Sequence, residues 1–241
     1  MPPRAAILLS LLLLAPRLSR AQSITYLAQS RSVEAVGHDV IRPYEDDPVV
    51  YHEEQRIDAP DFAPFDAVAV ATHMDRQGAS IAQRSRLDPD RVTATGDWRG
   101  HTGTDAGYWR FDTSLATTFQ LEGAPAQYTL DFAADFVLGL EAADLSLRPA
   151  AGGPAAFDWG PADKQDASTR DWTAAHFTGR LDPGRYDFHF LYHAEHDVGQ
   201  LGAYDLTLRL SPVPEPSSAA VLALGAAGLA CRRCGARALK R

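Results

Sequence analysis

The feature that most constrains this chain is a strict two-residue alternation. From Arg185 to His193, Tyr186, Phe188, Phe190 and Tyr192 fall on one side, and Asp187, His189, Leu191 and His193 on the other. A strand sends successive side chains to opposite faces, so this segment has one apolar face to bury and one face for water. Ala203–Leu210 repeats the pattern, with Tyr204, Leu206, Leu208 and Leu210 inward. Upstream, Trp109, Phe111, Thr113, Leu115, Thr117, Phe119 and Leu121 alternate along one long or broken strand. Tyr128, Leu130 and Phe132 follow, then Phe136, Leu138 and Leu140, then Leu145 and Leu147; Trp172 to Phe177 is another candidate. Ile24–Val36, Phe65–His73, Ile81–Arg86 and Arg91–Gly96 read as further strands. Sustained 3.6-residue periodicity is missing from all of these segments, which excludes Rossmann, TIM-barrel and bundle folds. About ten strands separated by turn signals predict an all-β fold, a single antiparallel β-sandwich or jelly roll.

The connections follow from turn chemistry. The chain contains no Asn, so Asp, Gly and Pro must make its turns. In Leu181-Asp182-Pro183-Gly184, Pro sets φ at the first central position and Gly supplies φ > 0 at the next. Ala194–Gly202 is expected to join its two flanking strands as a long hairpin loop. Asp39–Pro64 is acidic, carries four prolines and shows little periodicity. It reads as a long surface loop, partly disordered.

Both ends carry export features. Residues 1–21 hold Arg4, a largely apolar run from Ala5 to Ala15, and Ser19-Arg20-Ala21. That is the layout of a secretory signal peptide cut between Ala21 and Gln22, which implies passage through the Sec translocon. The C-terminus reads Val213-Pro214-Glu215-Pro216-Ser217-Ser218, an apolar stretch Ala219–Cys231, then Arg232, Arg233, Arg237, Lys240 and Arg241. A helix breaker, an apolar helix and a basic cluster form a stop-transfer pattern, with the basic side in the cytoplasm. Thirteen helical residues reach about 20 Å against a hydrocarbon core of about 30 Å. The helix is also rich in Ala and Gly, so it makes a weak anchor. The domain plan is therefore 1–21 signal peptide, 22–212 extracytoplasmic body, and 213–241 C-terminal segment.

Pro214-Glu215-Pro216 before a brief apolar helix and an Arg cluster resembles the PEP-CTERM sorting signal of Gram-negative bacteria. The resemblance implies recognition of the tripeptide by exosortase, a membrane protease-transpeptidase that removes the tail. It also implies a transient membrane helix and a cell-surface or extracellular destination; a permanent C-terminal anchor is the alternative. Gln29–Val33, Ala59–Ala67, Ala82–Ser85 and Leu181–Tyr186 are similar to exported PEP-CTERM β-sandwich proteins. The stretch from Leu181 to Leu208 also resembles the bacterial pre-peptidase C-terminal jelly roll. Both imply an extracellular sandwich of no assigned activity.

Charge narrows the partners. Net charge is -8. Setting aside the three Arg of 1–21, and the five basic groups and one acid of 213–241, leaves 15 basic and 30 acidic residues in 22–212, a net of -15. Such a body is repelled by nucleic acid phosphate. The chain's only two cysteines, Cys231 and Cys234, lie at the end of the apolar helix, so the body must be held without disulfides. Their C-x-x-C spacing has no second pair and no βαβ context to support redox or zinc chemistry.

Three groups of residues offer candidate chemistry. His189, His193, Glu195, His196 and Asp197 cluster in sequence. On a strand, His189 and His193 stand about 13 Å apart, too far to share one metal; His193, Glu195 and His196 could still converge in a loop. Glu45-Asp46-Asp47, Asp88-Pro89-Asp90 and Asp158–Asp166 could offer oxygens to calcium, but none has EF-hand spacing. Trp98, Trp109, Trp159 and Trp172 could stack on sugars, although filling the core is the simpler role. The body has no G-x-S-x-G, H-E-x-x-H or P-loop sequence and no cysteine nucleophile. The expectation is a non-enzymatic exported surface or matrix protein, without cofactor or catalytic residues, in contact with exopolysaccharide. A carbohydrate- or calcium-binding module is the alternative, and a polysaccharide hydrolase a third reading.

Overall fold

A computed structural model describes residues 23–41, 49–73, 76–100, 107–135, 140–160, 174–196 and 201–213. The expected signal helix and membrane helix both lie outside them. Among the described residues the strands are β1 (Ser23–Ile41), β2 (Val49–Asp58), β3 (Phe65–His73), β4 (Arg76–Asp88), β5 (Arg91–Arg99) and β6 (Gly107–Glu122). They continue as β7 (Ala126–Asp135), β8 (Leu140–Pro149), β9 (Phe157–Trp159), β10 (Ala174–Leu181), β11 (Gly184–His196) and β12 (Leu201–Pro212). One sheet runs β2-β1-β6-β11-β8-β9 and the other β10-β7-β12-β5-β4-β3, with all strand pairs antiparallel. The two sheets face each other as a sandwich, the architecture the alternation predicts.

The pairing differs from the sequence expectation in two places. Strands β11 and β12 are not a hairpin: β11 pairs with β6 and β8, whereas β12 pairs with β5 and β7. Each has one fully apolar face, and such strands bury more by meeting face to face than by lying side by side. The Asp182-Pro183 link likewise crosses the sandwich, since β10 and β11 belong to different sheets, and Gly184 opens β11 without the positive φ expected of it. The acidic segment 39–64 is not one long loop. β1 continues to Ile41, and β2 occupies Val49–Asp58 in register with it, from Ile41↔Val49 to Ser32↔Asp58. β2 is an edge strand rich in charge, which hides its period from a hydrophobicity reading. Within 39–64, residues 42–48 lie outside the described ones.

The core is aromatic and joins the two sheets. Tyr186, Phe188, Phe190, Tyr192 and Ala194 of β11 are all buried, and so are Tyr204, Leu206, Leu208 and Leu210 of β12. The Phe190 and Tyr204 rings lie 5.3 Å apart, and those of Tyr192 and Tyr204 5.1 Å apart. Trp98 of β5 stacks on Phe111 of β6 at 5.4 Å, and its indole N–H donates to the Tyr192 hydroxyl at 2.9 Å. The Tyr204 hydroxyl is within 3.0 Å of Thr113 Oγ1, so each buried polar tip has a partner. Burial pushes the Tyr204 phenol well above its ordinary range. Gly96 lies opposite Tyr204 across β5 and β12. A methyl group there would stand 2.3 Å from Tyr204 Cε1 and 2.6 Å from the Ala82 carbonyl oxygen, so this site admits only glycine.

One flank of the sandwich is closed by polar groups. Arg31, on the inner face of β1, is only 1% exposed. Its Nε donates to Gln29 Oε1 at 2.9 Å, and its Nη2 to the carbonyls of Asp61 and Ala63 at 2.5 and 2.8 Å. Nη1 reaches the Ser85 carbonyl on β4 at 3.4 Å, and the guanidinium lies 5.7 Å from the Phe65 ring centre. This one side chain ties the β2–β3 crossing to both sheets. Burial lowers the Arg31 pKa, and nearby Asp61 opposes that shift. Beside it, the backbone N–H groups of Val70 and Thr72 on edge strand β3 donate to Gln55 Oε1 at 2.5 Å and Glu53 Oε2 at 2.6 Å of β2.

Two outcomes are expected from chemical denaturation. Phe190→Ala costs about 3–5 kcal/mol because it empties the centre of the aromatic layer. Arg31→Leu costs about 2–3 kcal/mol, the worth of charge-assisted hydrogen bonds. Amide exchange in Arg31→Leu should accelerate at Ala59 and Ala63 more than at Phe188; equal acceleration would mean that Arg31 has no local role in holding the crossing.

Candidate functional site

Two places on the sandwich could carry function: the outward face of the β1 sheet and the end where the chain leaves the fold. On the first, register alone sets a straight row. Arg56 of β2 lies opposite Glu34 of β1, Glu34 opposite Asp112 of β6, and Asp112 opposite His193 of β11. Arg110, two residues before Asp112, sits on the same face. Its Nη2 is 2.7 Å from Glu34 Oε1, and its Nε is 2.9 Å from Asp112 Oδ2. Arg56 Nη1 stands 3.3 Å from the other Glu34 oxygen, and His193 Nδ1 is 2.6 Å from Asp112 Oδ1. Two carboxylates on the middle strands are thus flanked and bridged by nitrogen groups of β2, β6 and β11.

Glu34 is 8% exposed although it faces outward, because the two guanidinium groups cover it. Both arginines are held more firmly in their charged form: Arg110 first by its hydrogen bond to Glu34, and Arg56 first by its hydrogen bond to Asp58. Ser32, Ser114 and Leu191 form the floor beside this row, and together they frame an open hollow of about 500 Å³. The hollow is polar and offers donors and acceptors, with no aromatic platform. Arg110 occupies the space between the two carboxylates.

At the other place both described ends of the body meet. Ser23 at the start of β1 lies opposite Glu122, the last residue of β6. Three residues further, the Pro125 carbonyl accepts from Val213 N–H at 3.3 Å. The body therefore receives the chain from residues 1–22 and returns it to residues 214–241 at one pole. Burial pushes the phenol of Tyr26, at this pole, above its ordinary range, with Asp88 and Asp90 adding to the shift. Its hydroxyl donates to the Asp88 carbonyl at 2.7 Å, and Leu210 N–H donates to the Asp90 carbonyl at 2.8 Å. Two carbonyls of the Asp88-Pro89-Asp90 turn thus already serve the fold.

The candidate residues from sequence separate as follows. Ala21, Gln22, Pro214, Glu215, Pro216, Arg232, Arg233 and Arg237 lie outside the described residues. His189 and His193 face outward on β11, and only His193 joins the charged row. β11 continues to His196, so Glu195 belongs to the strand and not to a loop; Asp197 lies outside the described residues. Glu45, Asp46 and Asp47 also lie outside, and Asp158 of β9 pairs with Arg148. Among the described residues, no three His, Cys, Asp or Glu side chains come together as a metal site. Trp98 is buried, and Trp109 and Trp159 pack against the core, the latter on Phe132 at 5.8 Å. These three are therefore not exposed sugar platforms; Trp172 lies outside the described residues. Sequence reasoning missed Glu34, Arg56, Arg110 and Asp112. The alternation put Asp112 opposite the apolar set of its strand, but only the cross-strand register makes it a neighbour of Glu34.

The comparisons bear on the second place. Residues 212–233 match the family model of the PEP-CTERM protein-sorting motif. The chain thus carries a PEP-CTERM sorting motif directly after its all-β sandwich. The motif implies export, processing by exosortase and a destination at the cell surface or beyond it. No curated protein matches the chain. Among solved structures, the VP2 subviral particle of infectious bursal disease virus is 7% identical, with a TM-score of 0.25; the match covers 78% of this chain and 57% of that one. The T=1 particles derived from infectious bursal virus are 8% identical, with a TM-score of 0.18, covering 84% and 70%. Nothing about this chain follows from likeness at that level.

The charged row makes a graded prediction for denaturation. Glu34→Ala removes the carboxylate that Arg110 and Arg56 share at a buried position and costs about 1–3 kcal/mol. Arg56→Ala removes a half-exposed partner and costs at most about 1 kcal/mol. Equal costs would mean that burial does not strengthen this row.

Proposed function

We propose that the chain is a non-enzymatic surface or matrix protein, whose sandwich is released outside the cell once exosortase removes its C-terminal segment. The observation that carries this reading is the sorting motif at residues 212–233, which starts on the last residue of β12. Everything upstream of it is a body without cysteine, held by its own core. Such a body needs no disulfide to stay folded. Its net charge of -15 keeps copies apart and soluble.

The hollow over Ser32 and Ser114 favours a second reading, a module that holds hydroxyl-rich matrix polymer. Paired carboxylates and guanidinium groups can share hydrogen bonds with vicinal hydroxyls. A hydrolase draws less support. Glycoside hydrolysis needs open space for a sugar between two carboxyl groups, and Arg110 fills the space between Glu34 and Asp112.

Replacing Pro214, Glu215 and Pro216 together by alanine tests the sorting reading. The expected result is a precursor of full C-terminal mass retained in the envelope fraction; unchanged mature mass and location would reject it. A glycan array, run with and without chelator on the mature protein, separates the readings of the body. Signal above background that disappears in Glu34→Ala assigns polymer binding to the hollow, whereas no signal favours the structural role.

A further inference from the structure

The sorting segment begins while the chain is still part of a sheet. Pro212 is the last residue of β12, paired with Ala126 of β7, and the tripeptide starts two residues later at Pro214. Between them stands only Val213, whose N–H is held by the Pro125 carbonyl at 3.3 Å. The strand changes character at Leu210. That side chain is buried at 2% exposure, and its N–H donates to the Asp90 carbonyl at 2.8 Å. Beyond it, Ser211 and Pro212 are exposed and paired with β7 alone, because pairing with β5 ends at Arg209.

Enzymes that act on peptides commonly take the chain in extended form, using backbone groups on both of its edges. A segment hydrogen-bonded into a sheet has one edge occupied, and the folded body stands against it. The sorting motif has no linker to carry it clear of that body.

We infer that Ser211, Pro212 and Val213 act as the presenting arm of the sorting motif: they leave β7 so that exosortase can engage Pro214-Glu215-Pro216, and Leu210 is the point where opening stops. The arm is a positioning element and holds no reacting group. The features fit that role. Its side chains are outside the core, Pro212 has no N–H to give to the ladder, and Val213 is held by a long hydrogen bond. Detachment of three residues leaves the aromatic core untouched. This inference rests on the reading that exosortase processes the chain at this motif.

The test is a pulse-chase measurement of precursor conversion in cells that carry exosortase. A six-residue Gly-Ser spacer inserted between Val213 and Pro214 frees the motif from the strand. The same spacer inserted between Ala238 and Leu239 adds the same length outside residues 212–233 and leaves the tripeptide one residue after β12. Both insertions lie beyond β12, so neither changes the sandwich. The first should raise the conversion rate about fivefold, the factor that goes with no longer having to break one net hydrogen bond. The second should leave the rate unchanged. Equal rates for the parent and the first insertion, or equal gains from both insertions, would overturn the inference. The triple alanine variant run alongside keeps the two ideas apart: if it is still converted, the sorting reading itself fails. If it is blocked while the first spacer has no effect, only the presenting arm is rejected.

Discussion

The structure depends on the contact between β11 and the opposite sheet. Phe190 and Tyr192 meet Tyr204 and Phe132 at ring separations of 5.1 to 5.9 Å, and Trp98 closes the layer against Phe111. The body has no disulfide to restrict its unfolded chain, so burial of this surface must oppose the conformational entropy of the whole domain. The polar tips in the layer are not left unpaired. The Trp98 indole and the Tyr204 hydroxyl both find partners on the facing sheet. Those bonds contribute orientation more than energy, since each one requires the two sheets to sit at a particular offset.

Much of this layer was legible in the sequence, because alternation reports directly on faces. The inward set of β11 and of β12 agrees residue for residue with the pattern, and β6 runs unbroken where Trp109 to Leu121 suggested one long or broken strand. The partners of each strand were not legible. Period two says which side of a strand is buried but not what lies beside it, so β11 and β12 read as a hairpin when they are face to face. β2 was hidden for a different reason. Its sequence, VVYHEEQRID, keeps charge on an edge strand, and its neighbours Asp46, Asp47, Pro43 and Pro48 look like loop. The charged row suffered from the same limit: Glu34, Asp112 and His193 are far apart in sequence and become one row only through the registers of β1, β6 and β11. The sorting motif was legible because its parts are contiguous in the chain.

The two ends of the body meet at one pole, beside the β6–β7 link where Gly123 adopts φ 84°. This follows from the alternation of strand directions: β1 leaves that pole and β12 returns to it. A chain that enters and leaves at the same end can be tethered through one attachment and still present its opposite end and both sheet faces. The architecture and the sorting signal are consistent with each other on this point. The charged hollow lies on a sheet face and not at the pole, so a tether there does not cover it.

The side chains of Glu53 and Gln55 on β2 occupy backbone donors of β3 at Thr72 and Val70. Edge strands with free donors act as templates on which another chain can zip. At this stretch of the rim the donors of Val70 and Thr72 are already engaged from within, by the neighbouring edge of the same molecule. A second strand that approached this stretch of β3 would find those two donors occupied, which disfavours edge-to-edge pairing there.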